Sequence, residues 1–162
     1  MVYQMNPNSN KVSVWIDLEE TLIKSWFDHF LTPEFPKVKK FVESLPVNRV
    51  NIFSYAIWGD EDETTFEETL QGWLEDQLEY VIEKCPSVNK MITSTRHFQG
   101  IIYVDVNDYI NLVPKWLGFY YYISNLQSYN TTYYLIDDAV PNMTINVKES
   151  GNIFKFINVK DL

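Results

Sequence analysis

Apolar positions along this chain repeat at two different periods, and the switches between them mark out the elements. Lys11-Val-Ser-Val-Trp-Ile16 is a short, β-branched apolar run that stops abruptly at Asp17, as a buried central strand does at its end. Past a loop holding Trp26, Phe27 and Pro33, the pattern changes to helical spacing. Val38, Phe41, Val42 and Leu45 share one face of a helix predicted over 35–45, with Pro36 in its first turn and Pro46 as its stop. Arg49 to Ser54 reads as a second strand, followed by an acidic loop, 59–63.

From Thr65 to Lys84 the apolar positions Phe66, Leu70, Trp73, Leu74, Leu78, Val81 and Ile82 recur every three or four residues, which predicts one long helix. Thr65 and Glu68 have the spacing of a capping box, and the acidic run 60–63 suits the positive end of that helix's dipole. Lys90 to Thr95 and Gly100 to Val106 are strand-like runs flanking Arg96-His-Phe-Gln; a hairpin and a core strand with a loop both fit, and the first arrangement would make a small flap. Pro114 opens a further aromatic-rich helix to about Leu126. Tyr133 to Ile136 is another buried strand, ending in Asp137 and Asp138, and Ile153 to Val159 supplies a late one.

Strands alternating with helices imply parallel pairing, right-handed crossovers and helices on both faces of the sheet, a three-layer Rossmann-like α/β domain. In such sheets the ligand crevice lies beyond the carboxyl ends of the strands. Asp17, Ser54 and Asp137 all stand at such ends, so three polar residues far apart in sequence are expected to converge.

Composition narrows the picture. A chain of 162 residues with 46% hydrophobic content can build one core without disulfides, giving a single domain over 11–162 behind a flexible tail at 1–10. The tail lacks the basic and apolar regions of a signal peptide, and no apolar run approaches the roughly 20 residues needed to cross a bilayer, so a cytoplasmic protein without membrane contact is expected. Asn130-Thr-Thr and Asn142-Met-Thr then match the glycosylation pattern by coincidence. A formal net charge of −9 argues against general nucleic-acid binding. Cys85, the single cysteine, reads as a buried thiol in the helical stripe, and His29 and His97 lack ligand-like spacing. The 16% aromatic content is expected mostly in the core, with a share left for a partner surface.

Asp17-Leu18-Glu19-Glu20-Thr21-Leu22, directly after a buried strand, resembles the first motif of the haloacid-dehalogenase-like (HAD) superfamily, Asp-x-Asp-x-Thr, in the variant Asp-Leu-Asp-Glu-Thr-Leu of the FCP/NIF-like phosphatases. Ser54 after Asn-Ile-Phe, and Tyr-Leu-Ile-Asp137-Asp138-Ala-Val-Pro-Asn142, are similar to later motifs of that family in the same order. The resemblance implies a HAD domain with little or no cap and a Mg²⁺-dependent phosphatase. Asp17 would be the nucleophile, passing through an aspartyl-phosphate. Asp17, the Glu19 backbone carbonyl, Asp137 and Asp138 would offer the oxygen ligands that Mg²⁺ prefers. Ser54 and a cation would hold the phosphoryl group, with Lys115 the choice over Lys90 and Arg96. The substrate would be a phosphorylated group, a phosphoprotein before nucleic-acid ends or nucleotides.

Glu19 departs from the pattern, because the family has Asp as acid/base at that position. Glutamate keeps the chemistry but moves the carboxylate by roughly 1 Å, a displacement that can cost about a hundredfold in rate. A second reading therefore stands beside the first: a catalytically weak or inactive HAD scaffold that binds or regulates a protein partner through its aromatic surface, of which a phage regulator of host transcription would be one kind.

Overall fold

The computed structural model describes residues 11–26, 28–99 and 105–162. The expected tail, 1–10, and the run 100–104 lie outside them. The chain folds as a three-layer α/β domain around a six-stranded, mainly parallel sheet. β1 (Lys11–Ile16) sits near its middle, with β4 (Arg49–Ile52) and then β5 (Val81–Ile82) on one side. On the other side lie β6 (Thr131–Asp137), β8 (Ile153–Asn158) and the edge strand β7 (Met143–Asn146). Within this sheet, among the described residues, β7 alone runs antiparallel, paired with β8.

Period-two alternation along the strands divides the core in two. Val14 and Ile16 of β1, Val50 and Ile52 of β4 and Ile136 of β6 face one layer. That layer holds α1 (Phe35–Glu43), α2 (Asp60–Thr69) and α3 (Gln71–Leu78), through Val38, Val42, Phe66, Leu70, Leu74 and Leu78. Trp15, Phe53, Leu135 and Phe156 face the opposite layer, made by α4 (Val88–Gln99), α5 (Val106–Leu112) and α6 (Lys115–Ser124). Most of the aromatic surplus is spent here: Trp15, Phe53, Phe119 and Tyr122 meet edge-on or tilted with centroids 5.1–6.3 Å apart, the geometry that ring quadrupoles favour.

Several expected elements are corrected. The long helix over 65–84 is two helices and a strand. α2 starts earlier, at Asp60, so the acidic run is its first turn rather than a loop, and it breaks at Leu70, where φ is −125°. Thr65 is no cap, since its hydroxyl donates to Glu61 O; the Asp62 carboxylate instead accepts the N–H groups of Trp58 and Gly59. α3 ends at Glu79 in the left-handed region, φ 64°, and Val81–Ile82 pairs with β4. The buried stripe Phe66, Leu70, Leu74, Leu78 was real; Val81 and Ile82 continue its spacing by chance and belong to a strand. Cys85 accordingly lies beyond β5, half-buried against the first layer's core, where burial pushes its thiol up. On the outer edge of β5, the Ile82 N–H donates to Glu75 Oε2 and its carbonyl accepts from Gln71 Nε2, so α3 covers backbone groups that a further strand would otherwise pair with.

Lys90–Thr95 is helical, not a strand, because Val88, Met91 and Ile92 bury one face at helical spacing. Val106 opens α5 behind Asp105, whose carboxylate accepts the Asp108 N–H, and no flap is found there among the described residues. A hairpin lies elsewhere, in the segment read as a loop: β2 (Ile23–Ser25) pairs with β3 (Asp28–Leu31) directly after Asp17's loop. β7 also went unforeseen.

The start of α4 is tied to α2 through Glu63, which accepts the Ser87 N–H at 2.9 Å and pairs with Lys90 at 2.7 Å. Burial works against the charged carboxylate, but these donors outweigh it and hold its pKa below the ordinary 4.5. A depressed carboxyl contributes stability above its unfolded pKa and loses it as pH falls through the folded one. Glu63→Gln is thus expected to lower the melting temperature near neutral pH, with the deficit closing in acid; melts across the range about pH 3 to 7 check this.

Candidate active site

The parallel strands leave β1 in opposite directions. α1 leads out to β4, and the run α4 to α6 returns the chain across the sheet to β6. The carboxyl ends of β1 and β6 are therefore the topological switch point, the position at which open α/β sheets bind their ligands. Asp17 follows β1, its N–H bonded to the Ile136 carbonyl at 3.0 Å, and Asp137 closes β6. Both are buried, with 3% and 0% of their surface exposed.

Between them stands Lys115, brought from the first residue of α6. Its ammonium hydrogen-bonds Asp17 Oδ1 and lies 2.7 Å from Asp137 Oδ2. Asp137 Oδ1 accepts the Ala139 N–H at 2.7 Å. Burial pushes the carboxyls of Asp17 and Asp137 upward, and Lys115 opposes both rises. For Lys115 burial disfavours the charge, but the two carboxylates outweigh it and raise its pKa, so the ammonium stays protonated.

Local hydrogen bonds hold each member in place. Leu18 O accepts the N–H groups of Thr21, Leu22 and Ile23, winding the chain after Asp17 into a tight loop with Glu20 at φ 63°. Leu18 and Leu22 anchor that loop in the core, and buried Thr21 donates to Asp17 Oδ2 at 3.3 Å. Asn158, at the end of β8, donates to the carbonyls of Asp138 and Val140, while its N–H donates to Asn142 Oδ1 at 2.8 Å. Tyr55 supports Lys115: its hydroxyl donates to Val113 O at 3.0 Å and its ring lies 5.7 Å from the ammonium. A side chain at Gly118 would overlap that hydroxyl and reach 3.1 Å from Tyr109 Oη. Because the Tyr55 ring is rigid and bonded at its tip, Gly118→Ala is expected to cost about 1–3 kcal/mol, read as a fall in denaturation midpoint.

Of the residues expected from the sequence, Asp17, Asp137 and Lys115 are in direct contact, and Asp138 adds a third carboxylate. Ser54 lies buried two residues past β4, beside β1, with its hydroxyl accepting the Ala56 N–H at 3.1 Å. Glu19 does not join the carboxylates: its Oε2 accepts the Trp26 N–H at 2.6 Å, clasping the β2–β3 hairpin. Lys90 is spent on Glu63, and Arg96 lies in α4 with its side chain outside the described residues, as does that of His97. His29 stacks on Trp73. Two contributors were missed, Thr21 and Tyr55. The first stands in the quoted motif and the second adjoins Ser54, so adjacency was the available signal.

The carboxylate set fits a small divalent cation. Oxygens of Asp17, Asp137 and Asp138 lie within 4.8 Å of one another, and opposite ligands of octahedral Mg²⁺ stand about 4.2 Å apart, a difference that small side-chain rotations close. Hard oxygen donors at a buried, net negative site match that ion's preference. The fold and site together define a mainly parallel α/β domain with a carboxylate–lysine centre at its switch point. Comparison with protein-family models, curated proteins and solved structures finds no match.

Proposed function

We propose that this domain is a Mg²⁺-dependent phosphatase of HAD type, working through Asp17. The observation that carries the reading is the ion-paired cluster of Asp17, Lys115 and Asp137, assembled at the switch point from three distant segments. A buried carboxylate held by a lysine is poised as a nucleophile whose charge is compensated. Asp17 attacks phosphorus, a new O–P bond forms and the ester P–O bond breaks, its oxygen leaving with the bonding pair and taking a proton from water as the free alcohol, which leaves an aspartyl-phosphate. Water then cleaves the acyl phosphate, releasing inorganic phosphate and restoring Asp17. Lys115 offsets the negative charge carried by the transferring group, and the Thr21 hydroxyl fixes the far oxygen of Asp17. Mg²⁺, held by Asp17, Asp137, Asp138 and the Glu19 carbonyl, would neutralise the repulsion between carboxylate and phosphoester.

Two exposed rings support a substrate class. Phe30 on the hairpin and Trp58 on the segment after Ser54 are exposed, both on connections that leave carboxyl ends of strands. A rim of this kind suits a phosphorylated macromolecule, a phosphoprotein first. The test is phosphate release from aryl phosphates, phosphopeptides and nucleotides with and without Mg²⁺. Release that requires the metal is expected; none from any substrate class sinks the reading.

One observation favours the alternative, a weakly active scaffold serving as a binding or regulatory protein. Glu19, at the acid/base position, is engaged by the Trp26 N–H. In that case Phe30 and Trp58 are the contact surface for a protein partner, and Asp17→Asn leaves partner binding intact.

A further inference from the structure

A second cavity, of about 660 Å³, opens on the other side of the molecule. It lies on the sheet face that carries Trp15, beyond the cover of the aromatic helices, and reaches the amino end of β1 at Lys11. Lys11 and Asp17 are six residues apart along one extended strand, about 20 Å. The floor breaks the apolar rule of this sheet: Ser13 of β1 and Asn51 of β4 stand where the rest of the face buries large rings. Asn51 is only 6% exposed. Its Nδ2 donates to the Val14 carbonyl, which fixes the amide's orientation, and its Oδ1 has no hydrogen-bond partner among the described residues. A buried carbonyl oxygen without a donor carries a desolvation cost that a bound N–H would remove. Lys11 and Lys84 line the same cavity, in a chain of net charge −9; Glu83 lines it too but is paired with Arg49, and the exposed ring of Tyr129 stands among the lining residues.

We propose that this cavity binds a small anion bearing a flat, N–H-donating ring, the chemistry of a nucleoside monophosphate. Lys11 and Lys84 take the anionic group, the ring N–H reaches Asn51 Oδ1, which is closed to solvent, after a small side-chain rotation at the cavity floor, and Tyr129 packs against the ring face. The site is separate from the Asp17 centre and does not depend on its activity.

The test is calorimetric titration of the full chain carrying Asp17→Asn, with guanosine and adenosine 5′-monophosphates, the free nucleosides and orthophosphate as probes. Saturable binding of a monophosphate is expected, stronger than of either part alone. Lys11→Glu and Lys84→Glu should each weaken it about tenfold or more, as loss of a charge-assisted contact does. Asn51→Val should abolish selectivity for the base while leaving the melting temperature level or raised; a merely structural Asn51 would instead lower that temperature and leave binding unchanged. No saturable binding of any probe overturns the proposal, as does binding unaffected by both lysine variants. Loss of binding in the Asp17→Asn background relative to the unmodified chain overturns it too, by assigning the ligand to the first site.

Discussion

Asp17→Asn is expected to lower Mg²⁺-dependent phosphate release by at least about a thousandfold, because in the proposed mechanism it removes the nucleophile and not an auxiliary contact. The amide is nearly isosteric, but its one oxygen can face either the Thr21 hydroxyl or the Lys115 ammonium, so some stability is lost while Asp137 continues to hold Lys115. It also strips one of three carboxylates from the cation site, and Mg²⁺ affinity should fall alongside rate. Asp137→Asn separates the two effects. In the proposed mechanism that residue is a ligand and not the nucleophile, so raised Mg²⁺ should restore part of its rate, while Asp17→Asn stays inactive at any concentration. Equal rescue of both variants would remove Asp17 from the nucleophile's role. Comparison of Mg²⁺ titrations for the two variants decides the matter.

Lys115→Met is expected to destabilise the fold by about 3–5 kcal/mol near neutral pH, the usual cost of removing one partner from a buried ion pair. The lysine side chain is 10% exposed and its carboxylate partners less, so solvent cannot take over its role. What remains is two buried carboxylates facing each other without a cation. Burial already raises both, Asp17 well above the usual range, and loss of Lys115 removes the group that opposes the rise. The sign follows from linkage. A carboxyl raised above its unfolded value binds more protons in the folded state, so stability falls as pH climbs from the ordinary carboxylate range to the raised value. The variant's deficit should therefore be small in acid and full at neutrality. Mg²⁺ should raise the variant's melting temperature more than the parent's, since the ion supplies the missing charge. A pH-independent deficit indifferent to Mg²⁺ would mean that Lys115 matters only for packing.

Sequence pattern alone exposed the centre of this fold because its signals are local. Ile16 to Asp17 and Ile136 to Asp137 each change from apolar to acidic in one step, which marks a buried strand delivering a side chain to an edge. Lys115 could be chosen from its place at the start of a helix, but its position between two carboxylates is a tertiary fact. Elsewhere the period misled. Val81 and Ile82 continue the spacing of Leu74 and Leu78, and only the left-handed turn at Glu79 frees them for the sheet. Met91-Ile92-Thr93 has strand-like composition, and helix α4 wins because Val88, Met91 and Ile92 together bury a face. Glu19 illustrates a different limit: sequence showed an added methylene, and the structure places the carboxylate on the Trp26 N–H. No spacing rule carries that information.

The pairing of β1 with β6 has a consequence for how the protein comes into being. These strands lie side by side over six residues, Lys11 with Thr131 through Ile16 with Ile136, although most of the chain separates them. Closing so large a loop is entropically expensive and slow, and its reward comes only once the whole ladder forms. The carboxylates at the ends of that ladder cannot meet before it does, and a growing chain that has not yet reached β6 holds Asp17 without its counterpart. Assembly of the charged centre thus reports completion of the sheet, and the Mg²⁺ binding proposed for it should return, during refolding, with the slowest phase.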